Sequence, residues 1–66
     1  MQIQLNGDPV QIEDGMTIQQ LIIHLGLTGK RIAVERNLEI VPKSLFTQTV
    51  LAEQDQVEIV HAIGGG

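Results

Sequence analysis

The residues of this 66-residue chain whose types could do chemistry are two histidines, eight carboxylates and a run of three glycines at positions 64–66. His24 and His61 are far apart in sequence, and no cysteine accompanies them. Zinc sites use closely spaced His and Cys pairs, such as H-x-x-x-H, and none is present. The histidines therefore read as exposed or boundary residues. General acid–base chemistry needs a carboxyl whose pKa is displaced in a desolvated cleft. The Asp and Glu residues instead scatter through turns and strand faces, as a solvated surface does. Asn6-Gly7 reads as a turn. Gly26-x-x-Gly29 lacks the lysine and the spacing of a phosphate loop. The absence of cysteine removes disulfides, thiolate metal sites and thiol catalysis.

The glycines remain. Gly64-Gly65-Gly66 follows directly on a segment of core-type residues. Glycines form a chain without side chains that adopts any φ and can enter a narrow channel. With Gly66 as the last residue, its α-carboxylate has a pKa of about 3.3–3.7 and is ionised at neutral pH. In that form it is a poor electrophile, and it becomes reactive only when an enzyme converts it to a mixed anhydride. The candidate reactive group is then the main-chain carboxylate of Gly66, reached past Gly64 and Gly65. The plain alternative is a frayed or engineered tail.

The elements that must position this tail follow from hydrophobic periodicity. Met1-Gln2-Ile3-Gln4-Leu5 alternates strictly, as a half-buried strand does. Asn6-Gly7 suits a hairpin turn, which Asp8-Pro9 prolongs, and Val10-Gln11-Ile12-Glu13 alternates again. Thr17 with Gln20 three residues later forms a capping-box pattern. Ile18, Leu21, Ile22 and Leu25 make one apolar stripe, and Gly26 is a natural terminator, so a helix is expected over about residues 18–25. Two turns do not persist alone and need tertiary packing. A strand over Arg31–Glu35, a turn at Arg36-Asn37, and a short strand from Leu38 to Val41 follow, with Pro42 ending the last. Lys43 to Thr49 has neither period clearly and reads as an irregular connection or a single helical turn that carries Leu45 and Phe46 into the core. Val57-Glu58-Ile59-Val60, reaching Ile63, is the last strand, apolar on both faces from Ile59 as a central strand would be.

The order β-β-α-β-β-β implies an α+β two-layer domain. Placing the first and last strands centrally makes the sheet mixed. The expected fold is the β-grasp, or ubiquitin-like, fold: four to five strands covered by one short helix. The domain is expected over residues 1–63, with a flexible glycine tail at 64–66.

Size and charge bound the function. Ordering 66 residues costs about 100 kcal/mol, so nearly all apolar side chains are needed for one core. Little remains to line a private cavity. A formal charge of -4 and a pI near 4.8 argue against nucleic acid. No stretch approaches the roughly 20 apolar residues of a membrane span. The start MQIQLNG lacks the basic and apolar regions of a signal peptide, so a cytoplasmic protein is expected. If Ile32, Val34, Val57 and Ile59 face the helix, then Ala33, Val60 and Ala62 form a small patch on the other face, ringed by Glu13, Glu35 and Glu58. Such a patch reads as a docking surface or as ordinary scattered exposure. Ile23, opposite the helical stripe, either tucks under a loop or marks a contact.

Over its whole length the chain resembles the ThiS family, the sulfur carriers of thiamin thiazole biosynthesis. The likeness rests on MQIQLNG, on Ala33-Val34-Glu35-Arg36-Asn37 followed by Ile40-Val41-Pro42, on Asp55-Gln56-Val57-Glu58-Ile59-Val60, and on the end His61-Ala62-Ile63-Gly64-Gly65-Gly66. Gln54 departs from the glycine that relatives often carry in that turn. The resemblance implies that Gly66 is adenylated with ATP by a ThiF-type enzyme. Sulfur from a cysteine-derived persulfide then displaces the adenylate to leave a thiocarboxylate. A ThiG-type thiazole synthase uses that sulfur with deoxyxylulose phosphate and dehydroglycine. It further implies a monomeric carrier that catalyses nothing and binds no cofactor itself, with Gly64 and Gly65 as the tail and Val60, Ala62 and Ile63 on the docking surface. Rival readings are the small subunit of molybdopterin synthase, a ubiquitin-like modifier joined to lysines, and a plain interaction module.

Overall fold

In a computed structural model of the chain, residues 1–62 are described. The elements are β1 (Gln2–Leu5), β2 (Asp8–Gln11), α1 (Ile18–His24), β3 (Ile32–Arg36), β4 (Glu39–Ile40), a 3₁₀ turn (Lys43–Leu45) and β5 (Gln56–His61). The sheet order is β2-β1-β5-β3-β4. β1 runs parallel to β5, and the other pairs are antiparallel. This is the mixed five-stranded β-grasp sheet, with the first and last strands adjacent at its centre.

The turn before β2 is tighter than expected. Asp8 pairs with Leu5, so the loop is Asn6-Gly7 alone and Pro9 lies within the strand. Both loop residues have positive φ, 50° and 88°, the geometry that matches the twist of a two-residue hairpin. Pro9 is tolerated because β2 is an edge strand that need not donate outward.

Helix α1 begins as its sequence dictates. Thr17 Oγ1 accepts from the Gln20 backbone N–H at 3.1 Å, and Gln20 Oε1 accepts from the Thr17 N–H at 2.9 Å. It ends one residue earlier than expected, with Leu25 as C-cap and Gly26 at φ 72° reversing the chain. Ile18, Leu21 and Ile22 are buried against the sheet. Ile3, Ile18, Leu21, Val34 and Val57 are the most deeply buried large side chains, each worth about 1.5–3 kcal/mol relative to exposure. Phe46 joins this core, whereas Leu45 remains 42% exposed.

β5 corrects one expectation. Its burial alternates, with Val57 and Ile59 buried and Gln56, Glu58 and Val60 exposed. A central strand is apolar on both faces only when both faces are covered, and here the one helix covers one.

Candidate functional site

The expected functional end of the chain is delivered by β5. Its register against β3 pairs Ile32 with His61, Ala33 with Val60, Val34 with Ile59, and Glu35 with Glu58. The Ala62 N–H donates to the Arg31 carbonyl at 2.9 Å, so the chain is tethered to the start of β3 as far as the last described residue. Ile63, Gly64, Gly65 and Gly66 lie outside the described residues. Of the expected docking residues, Val60 is 55% exposed, and Ala62 and Ala33 are also exposed. Glu35 and Glu58 stand directly opposite one another beside them. Glu13 does not belong to this rim. It follows β2 on the far side of the sheet and lines a hollow with Met16 and His24.

Three polar side chains hold β5, and the periodicity of the sequence gave no sign of them. Asn6 sits past the end of β1 with φ 50°. Its Nδ2 donates to the Ile59 carbonyl at 3.1 Å, and its Oδ1 accepts from the Ile59 N–H at 2.9 Å. The amide thus takes the place of a backbone partner where β1 has stopped. Asn37 acts in the same way at the β3–β4 turn, where its Oδ1 accepts from the Gln56 N–H at 2.9 Å and its Nδ2 donates to Asp55 Oδ1 at 3.0 Å.

Asp55 is 6% exposed. Arg36 Nε donates to its Oδ2 at 2.7 Å, and the Ala52 N–H donates to the same oxygen at 2.8 Å. Burial pushes its pKa up, but the bonds from Ala52, Arg36 and Asn37 outweigh that effect and hold the carboxyl below its ordinary value. Its bonds from Arg36, Asn37 and Ala52 all serve the fold, which makes it a structural carboxylate rather than a proton-transfer group. The adjacent Gln54 adopts φ 67°, so the turn keeps the left-handed geometry natural to glycine. The available sequence signal was an Asn at each hairpin turn and an Asp just before the last strand.

The histidines stay on separate elements, His24 in the last turn of α1 and His61 at the end of β5. Among the described residues, no group of three or more His, Cys, Asp or Glu side chains could hold a metal. A hollow of about 320 Å³ lies between the end of α1, the following loop and the 3₁₀ turn, with Ala62 on its wall. Ile22, Leu27 and Phe46 form apolar parts of it, and Lys30, Arg31 and Lys43 line it as well. Among the described residues no Asp or Glu lines it. No helix among the described residues is long and apolar enough to cross a membrane.

A ThiS family model matches residues 3–66. The sulfur carrier protein ThiS of Bacillus subtilis is 43% identical over 65 residues, covering 97% of this chain and 98% of the relative. A thiazole synthase of Magnetococcus marinus is 46% identical over 66 residues, and there the chain spans only 20% of the relative's length. The crystal structure of a thiamine biosynthesis protein (ThiS) from Geobacter metallireducens superposes with a TM-score of 0.88 at 26% identity, with both chains covered completely. A sheet with parallel central strands β1 and β5, one capped helix and a match that runs through the glycines agree: the chain belongs to the ThiS family.

Proposed function

We propose that this chain is a sulfur carrier for thiamin biosynthesis and that Gly66 carries the sulfur. The carrying observation is the family match, which extends across the glycine run to residue 66. Near-complete coverage of a named sulfur carrier supports the same reading. Relatives named for thiazole synthesis favour the thiazole pathway over the molybdopterin one.

In this reading the Gly66 carboxylate attacks the α-phosphorus of ATP on a ThiF-type adenylating enzyme, and pyrophosphate leaves. The terminal sulfur of a persulfide attacks the acyl carbon, and AMP leaves. A second thiol then attacks the donor cysteine's sulfur in the acyl disulfide, forming a disulfide with it, and the thiocarboxylate leaves. Thiazole synthase accepts that sulfur. Its candidacy as a partner is supported by two thiazole synthases that contain stretches 46% and 44% identical to this chain. The carrier contributes no catalytic side chain and binds no ATP alone. Gly64 and Gly65 form the thin segment that an enzyme channel admits, and Val60, Ala62 and Ile63 belong to the docking surface. The carrier acts in the cytoplasm as a monomer.

The test is intact-mass measurement after incubation with ATP, a sulfur donor and the adenylating enzyme of the same organism. An oxygen-to-sulfur exchange at Gly66 is expected. Its persistent absence, or a lysine-linked conjugate in its place, overturns the proposal.

A further inference from the structure

The chain contains two two-residue hairpin turns of the same kind. In Asn6-Gly7 both φ angles are positive, 50° and 88°, and in Asn37-Leu38 they are again positive, 52° and 70°. The flanking pairs are Leu5 with Asp8 and Arg36 with Glu39. Both turns open with an asparagine that uses its amide to hold β5. They differ at the second position. There the left-handed backbone is free of cost for Gly7 and strained for Leu38, whose Cβ crowds the following carbonyl. Leu38 is also 80% exposed, so its side chain gains nothing from the core. A leucine unfavourable in both backbone and solvation marks a position whose side chain is used elsewhere.

Its surroundings define the user. Ile40 is 70% exposed, and the register puts it on the outer face beside Glu35, which stands opposite Glu58. Ala33 and Val60 form the next pair along that face. Two carboxylates directly opposed across a ladder repel one another. The basic side chains stand elsewhere: Arg36 binds Asp55, and Lys30, Arg31 and Lys43 surround the hollow. A second copy of this chain would bring carboxylates against carboxylates. A partner with a cation beside an apolar pocket relieves both features.

We infer that Leu38 at the β3–β4 turn is an anchor for a protein partner, inserting with Ile40 into an apolar pocket while a partner Arg or Lys lies between Glu35 and Glu58. The occupant assigned is thiazole synthase, relatives of which carry a stretch of this kind within one polypeptide. The inference rests on the carrier reading and adds to it a residue that sets partner recognition.

Leu38→Gly and Leu38→Asn test it, each measured for thermal unfolding and for titration against the thiazole synthase of the same organism. Both substitutions relieve the turn, so Tm rises by a few degrees. The Kd rises about ten-fold. Glu35→Gln with Glu58→Gln is expected to flatten the salt dependence of the same titration. An unchanged Kd, an unraised Tm or an unchanged salt dependence overturns the inference. Weakening only against the adenylating enzyme also overturns the assignment to the synthase. Thiocarboxylate formation with no synthase binding removes this contact and leaves the carrier reading. Leu38-dependent binding without thiocarboxylate does the reverse.

Discussion

Asp55 shows at the scale of one residue how a carboxylate in an acidic chain becomes structural. Its bonds from Arg36, Asn37 and the Ala52 N–H join the β3–β4 turn to the loop before β5. Because the folded pKa lies below the ordinary value of 3.8, the unfolded chain takes up this proton first as pH falls. The contribution to stability is therefore complete at neutral pH, declines as pH drops beneath that ordinary value, and is gone below the folded pKa. Urea titrations of Asp55→Asn are expected to show a loss of about 2–4 kcal/mol at pH 7. They should also show a shallower acid limb than the parent protein. An acid limb of equal steepness in both proteins would place the titration at another group. Asn6 and Asn37 perform the companion task, because an amide in the left-handed region both turns the chain and pairs with β5.

At the scale of elements, α1 is seven residues long and gains its persistence from its cap and its buried stripe. Thr17 serves twice, as the N-cap and as the residue bridged to Val50 outside the main strands. Thr17→Ala is expected to cost about 1 kcal/mol, seen as a fall in Tm of about 4–8 °C. Transfer of sulfur to Gly66 should remain intact at temperatures where the variant is folded, since α1 packs on the face of the sheet opposite Val60. Capping box, apolar stripe and terminating glycine were legible in the sequence because each is a local pattern. The true start of β2 was not, since Pro9 reads as a turn residue until its strand is known to lie at the sheet edge.

At the scale of the molecule, the fold is a handle built around a central parallel pair, with the glycines beyond its last strand. Among the described residues the buried core runs from Ile3 to Ile59. Deletion of Gly66, which has no side chain to contribute to a core, is expected to leave Tm unchanged within about 1 °C. It should abolish the mass change under adenylating conditions. Loss of cooperative unfolding in the deletion would show that the terminus is structural.

The sequence by itself determined the β-grasp element order, the helix and its cap, and the inward set Ile32, Val34, Val57 and Ile59. These follow from periodicity and residue type, which are local. Only the tertiary structure decided that Glu13 stands away from the outer face and that Glu35 opposes Glu58. Only it decided, too, that Leu38 occupies a backbone conformation suited to glycine. Each of these depends on which strand lies beside which and on what covers a face, and a one-dimensional pattern of apolar residues holds neither fact.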